Sequence, residues 1–169
     1  MKTKTPQQLI QQYRSKGVLI DTNLLLLYII GVWDQQQIPK FKRTKNFTID
    51  DYKLLVSVLR NFETVITTPN ILTEVSDLAG ALAESLKERC FPVFAEHIKR
   101  MKECYVPSIS AIQHPQFVQF GLTDAGIMNI AHNTYLVLTE DWPLEQYLRS
   151  KAIDVLNFNH LRLGLLMYE

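Results

Sequence analysis

Short apolar runs alternate along this chain with longer stretches whose apolar residues recur at helical spacing, and the runs end abruptly on polar residues. Val18-Leu19-Ile20 stops at Asp21-Thr22-Asn23, which reads as a buried strand over Val18 to Asp21 followed by a helix from Asn23 to Gly31. Gln35 to Ile49 is polar and basic and contains Pro39, the pattern of a loop or a distorted helix end. Tyr52, Leu55, Val56 and Leu59 then mark a helix over Asp50 to Phe62, capped by Asp50 or Thr48. Thr64 to Thr68 is β-branched and short, a second strand ended by Pro69.

A helix beginning at Asn70 carries Ile71, Val75 and Leu78 on one face, with Glu74 at the margin of that face and Asp77 turned to solvent. Ala81 to Cys104 reads as a long helix or helical hairpin interrupted near Pro92. Thr123 caps a further helix through Ala131, on which Asp124 falls between Ile127, Met128 and Ala131 and so starts the inward face. Tyr135 to Leu138 is a third strand, Trp142-Pro143 opens a helix through Leu148, and Ile153 to Leu156 is a last strand. This alternation predicts an α/β fold with a parallel sheet covered on both faces and its strand ends on one rim.

Composition narrows the picture. With 169 residues and 47% hydrophobic content, one compact domain is expected to bury about 70% of its unfolded surface. Residues 1–17 read as a polar N-terminal extension of that domain. No secretory signal is apparent, and Leu24 to Ile30 is far short of the roughly 20 residues that span a bilayer, so a soluble, cytoplasmic protein is expected. Cys90 and Cys104 read as reduced thiols, and the scattered His97, His114, His132 and His160 do not form a zinc site. The net charge of +1 conceals a basic first third, in which Lys40, Lys42, Arg43 and Lys45 make a cluster suited to phosphate. Taken alone, the cluster reads first as a solvated loop kept soluble by its lysines.

The candidate chemistry lies in four acids: Asp21, Glu74, Asp124 and Asp141. Each has an ordinary explanation alone, as a helix cap, a partner of a helix dipole or a solvated helix residue. Together they are brought by the expected topology to one rim, in the crevice where open parallel sheets bind ligands. Two unit charges about 4 Å apart repel by about 4 kcal/mol at an effective dielectric near 20, so four converging carboxylates need neutralising. Protonation is one route; Mg²⁺ or Mn²⁺, which prefer oxygen ligands, is the other. Such an ion suits hydrolysis of a phosphodiester, with Thr139 and Asn23 orienting the acids or a bound water.

These segments resemble the four signature segments of PIN-domain nucleases: Val18 to Asn23, Thr73-Glu74, Thr123-Asp124 through Ala131, and Leu138-Thr139-Glu140-Asp141 with Leu144. The resemblance runs in order from about Val18 to Leu156. It implies a three-layer α/β/α sandwich with a central four- to five-stranded parallel sheet and a metal-dependent endoribonuclease. The family's acids fall on Asp21, Glu74, Asp124 and Asp141, and its strand-end Ser/Thr on Thr139. Many small members are toxins held by an antitoxin protein, so the partners implied are an RNA substrate and an antitoxin, with a homodimer left open. The residues before the first strand and the basic stretch from Gln35 to Lys45 depart from the compact toxin pattern.

Within that basic stretch, Lys40, Lys42, Arg43 and Lys45 are candidate RNA contacts, with Trp33, Phe41 and Phe47 as rings for bases; the alternative is that the aromatics anchor the loop. Two other readings stay open, and a third lacks its residues. A PIN-like binding or scaffold module without catalysis would share the fold, and a structure-specific DNA nuclease would share the acids. A response-regulator receiver would need adjacent acids near the first strand and a Lys after a late strand, which the chain lacks.

Overall fold

The computed structural model describes the backbone of residues 4–166 and the side chains of residues 4–164. Its centre is a five-stranded, all-parallel sheet in the order β3-β2-β1-β4-β5, formed by β1 (Val18–Ile20), β2 (Val65–Thr67), β3 (Lys102–Glu103), β4 (Leu136–Thr139) and β5 (Val155–Asn157). The α/β sandwich expected from the chain's alternation is what the structure has. β1 is the innermost strand and is entirely buried, with Leu19 paired to Ile66 on one side and to Val137 on the other. A strand enclosed in this way must be apolar along its whole length, which is why Val18-Leu19-Ile20 has no polar alternation.

The chain winds outward from β1 through β2 to β3, then returns to β4 and winds the other way to β5. Right-handed crossovers of parallel strands place the helices of these two halves on opposite faces. Accordingly α2 (Thr22–Asp34), α3 (Ile49–Leu59), α4 (Pro69–Ala79) and α5 (Glu84–Ile98) pack with one another, while α1 (Pro6–Tyr13), α7 (Phe117–Ala131) and α8 (Trp142–Ser150) gather about β4. The short α6 (Ser108–Ala111) packs on α7, and α9 (Phe158–Leu166) follows β5. The reversal falls between β1 and β4, and the crevice beyond the ends of those two strands is where such sheets bind ligands.

Helix α2 is apolar almost all round: Leu24, Leu25, Leu26, Leu27, Ile29 and Ile30 are buried, each contributing about 1.5–3 kcal/mol of hydrophobic stabilisation. Tyr52 packs so closely on Gly31 of this helix that a Cβ there would lie 2.2 Å from the ring.

Several elements differ from the sequence expectation. Residues read as a polar extension include α1, fixed by a Thr5/Gln8 capping box and buried through Leu9 and Tyr13; Met1 to Thr3 lie outside the described residues. Helix α5 runs through Pro92 without interruption. The next segment supplies an edge strand of two exposed residues, Lys102 and Glu103, whose polarity hid it. Thr48, rather than Asp50, caps α3, with Asp51 closing a reciprocal capping box. Thr123 is no cap: α7 is two helical pieces joined across a kink at Gly121, which takes φ +81°, and Thr123 already lies inside the second. The Gln35 to Phe47 stretch is a 3₁₀ turn followed by tight turns, as its composition suggested.

Candidate functional site

Asp21 follows β1 directly and caps α2, its Oδ1 accepting the Leu24 amide at 3.1 Å. Its Oδ2 accepts the Glu140 amide at 3.1 Å and the Thr139 hydroxyl. Thr139 ends β4, the neighbouring strand, and its Oγ1 in turn accepts the Asp141 amide at 2.9 Å. Asp141 caps α8 through the Leu144 amide at 2.7 Å. One buried hydroxyl thus joins the ends of β1 and β4. The expectation that Thr139 orients Asp141 is corrected in part: its hydroxyl proton goes to Asp21, and Asp141 is held by its backbone.

Glu74 reaches the crevice from α4, where two threonines clasp it: Thr22 donates to Oε2 at 2.7 Å and Thr123 to Oε1 at 2.6 Å. Thr123, expected to cap a helix, spends its hydroxyl here. Asp124, one residue on, is half-buried, and no hydrogen bond to its carboxylate is found among the described residues. The four acids, with Thr22 and Asn23, line one open cavity of about 310 Å³. Asp77 lines it too, against the expectation that it faces away. It stands one helical turn from Glu74, and that i, i+3 spacing was the available signal.

Electrostatics links the acids more tightly than their hydrogen bonds. Burial raises the Asp124 pKa from 3.8 to about 7, and the charges of Asp141, Asp21 and Glu74 push it the same way. Burial also raises Asp21 to about 6, against the opposing hydrogen bonds from Thr139, Leu24 and Glu140. Glu140, assigned no role from the sequence, has its pKa raised by burial and held back by the Asn23 side chain. Among the described residues Asn23 makes no hydrogen bond to Asp21, whose carboxylate is held by Thr139 and the Leu24 and Glu140 amides.

The donor set suits a hard dication: every candidate ligand is a carboxylate oxygen, and Asp124 is charged only at the expense of its neighbours. Among the described residues no three Asp, Glu, His or Cys side chains close up into a ready cage. The open cavity suits an ion that keeps several of its waters, as Mg²⁺ does.

The basic cluster lies outside this cavity. Ile38, Phe41, Thr44 and Phe47, every third residue, are buried, which leaves Lys40, Lys42, Arg43 and Lys45 exposed along the outer edge. Phe41 and Phe47 are therefore anchors of the loop and not platforms for bases, and Trp33 is half-buried against the core. Arg162 of α9 donates to the Asn46 carbonyl at 3.4 Å and to Asp51 at 2.8 and 2.9 Å, and also reaches Asn159, which holds the Glu140 carbonyl. The ribbon is so braced to the strand end beside the acids.

No helix among the described residues is long and apolar enough to cross a membrane. Comparison with protein-family profiles, with characterised proteins and with solved structures returned no match.

Proposed function

We propose that this protein is a PIN-like, metal-dependent endoribonuclease whose active site is the four-acid cavity at the junction of β1 and β4. One observation carries the reading: Asp21, Glu74, Asp124 and Asp141 come from four distant segments, line one cavity, and three of them raise the proton affinity of the fourth. Asp21 is buried and Asp124 half-buried beside the exposed Glu74 and Asp141, and unmatched buried charge is costly. Pairs of groups with strongly raised pKa in a cleft mark functional sites more often than chance.

Asp21, Glu74, Asp124 and Asp141 would hold Mg²⁺ or Mn²⁺. When bound, such an ion supplies charge neutralisation and a water acidified for attack on a phosphodiester. The chain's own residues prepare the site. Thr139 and the Glu140 amide fix the Asp21 carboxylate, Thr22 and Thr123 fix Glu74, and the Leu144 amide fixes Asp141. Asp124 carries no such restraint and is free to exchange a proton for another cation. The exposed Lys40, Lys42, Arg43 and Lys45 would bind the phosphates of a strand entering the cavity, which favours nucleic acid as the substrate. RNA is preferred to DNA here on the family resemblance alone.

The test is cleavage of single-stranded RNA with Mn²⁺ or Mg²⁺, with and without chelator, by the wild type, Asp21→Asn and Asp124→Asn. Cleavage that needs the ion and is lost in both variants is expected. Equal activity in all three proteins would overturn the assignment. That no three acids close into a cage among the described residues favours a second reading, a nucleic-acid-binding module without catalysis. RNA binding by a wild type that never cleaves would select it.

A further inference from the structure

A second cavity, of about 300 Å³, lies between α2, α3, β2 and α5 and shares no lining residue with the acidic one. Its walls are apolar and aromatic, with Leu25, Val32, Val56 and the rings of Tyr28 and Tyr52. The Tyr28 hydroxyl meets His97 Nδ1 at 3.1 Å, and their rings stand edge to face at 5.4 Å. Arg60 from the end of α3 and Arg100 from the end of α5 complete the lining. Among the described residues neither guanidinium has a carboxylate within ion-pair distance. Glu96, the acid one turn before Arg100, is engaged by Lys99 at 2.6 Å.

Arg60 and Arg100, both exposed and without a carboxylate partner among the described residues, add positive charge to one cavity and leave their forked donors to water. An anion between them relieves both conditions, and Arg is the side chain whose planar fork matches carboxylate and phosphate oxygens. The apolar walls behind them would be covered by the rest of the same ligand. Cavities of this size, mostly apolar with a few converging polar groups, are the usual form of a small-molecule site.

We propose that this cavity binds a small organic anion, a carboxylate or phosphate monoester on an apolar body, with the anionic head on Arg60 and Arg100 and the body between Tyr28, Tyr52 and Val56. Both arginines lower the pKa of the Tyr28 hydroxyl against the effect of its burial, so their field reaches the cavity's interior. The His97 pKa is lowered, first by burial and then by Arg100, which keeps the ring neutral and able to share a hydrogen bond with Tyr28. The proposal does not depend on the nuclease reading, because none of these residues lines the acidic cavity.

The test is calorimetric titration of the full chain with octanoate, phenyl phosphate, 1-octanol and inorganic phosphate. Arg60→Met, Arg100→Met and the cavity-filling Val56→Phe are titrated alongside the wild type. Octanoate or phenyl phosphate is expected to bind, and the preferred one shows whether the body is acyl or aromatic. The neutral alcohol and the bodiless phosphate should bind at least about tenfold more weakly, and each Arg variant should lose about tenfold or more. Val56→Phe should abolish binding with both arginines in place, and RNA cleavage should be unchanged in all three variants. Equal binding of the alcohol, unaltered affinity in the Arg variants, or no binding of either anion by the wild type would overturn the proposal.

Discussion

The Thr139 hydroxyl donates to Asp21 across the boundary between β4 and β1, and both residues are buried. That single bond lies at the reversal point of the sheet, so the geometry of the candidate site and the joining of its two central strands depend on the same atoms. Thr139→Val keeps the shape of the side chain but strips Asp21 of a donor and the Asp141 amide of its acceptor. Urea unfolding should show a loss of about 1–3 kcal/mol, the cost of leaving buried polar groups unpaired. The variant should also lose most cleavage activity, while unaltered stability would show that the hydroxyl is not holding the strand ends.

Stability should depend on pH in the direction opposite to that of a protein held by ion-paired carboxylates. Asp21 and Asp124 have folded-state pKa values of about 6 and about 7, both above the ordinary 3.8, so the folded state binds protons that the unfolded chain releases. The sign follows: with more protons on the folded state, stability rises as pH falls from about 7 toward 4. In chelator, the midpoint of thermal unfolding should be higher at pH 5 than at pH 8. A midpoint higher at pH 8 would contradict the raised proton affinities.

Asp124→Asn should make the ion-free protein more stable at pH 8 and abolish cleavage. The substitution removes a carboxylate raised in pKa by burial and by Asp141, Asp21 and Glu74, and no hydrogen bond to it is lost among the described residues. Sites that gain stability when their function is removed are common where charge is held for a ligand. Thermal unfolding in chelator decides it, and a lower midpoint would mark Asp124 as a structural residue.

Lys42→Ala with Arg43→Ala should weaken RNA binding and flatten its dependence on salt, since each released phosphate contact lowers the slope. Both side chains are exposed, so folding should be unaffected. Phe41→Ala or Phe47→Ala should instead destabilise the protein by about 3–5 kcal/mol, the cost of emptying a buried aromatic site. Filter binding across a salt series checks the first part; unchanged affinity would remove the basic ribbon from the nucleic-acid path.

The parts of the fold legible in the sequence were those fixed by burial. Leu19 and Val137 sit on strands enclosed on both sides, and enclosure forces an apolar run with a sharp polar end. Asp21 was legible for the same reason, as the first polar residue after such a run, and Asp141 as the capping acid two residues beyond the end of another. β3 was not, because an edge strand of Lys102 and Glu103 pairs through its backbone alone and leaves both side chains in solvent. Pro92 misled because the tertiary packing of Cys90 and Phe94 carries α5 past a residue that lacks an amide proton. Thr123 was placed near the site but given the wrong role, since its hydroxyl reaches Glu74, which is distant in sequence.

The proposed active site requires that Asp21, Glu74, Asp124 and Asp141 together bind a dication. Calorimetric titration of Mn²⁺ into the RNA-free protein tests it most directly, with the wild type compared against Asp124→Asn and Glu74→Gln at pH 7.5. Saturable binding by the wild type, lost or greatly weakened in both variants, is the predicted result. Absence of binding, or equal binding by all three proteins, would contradict it.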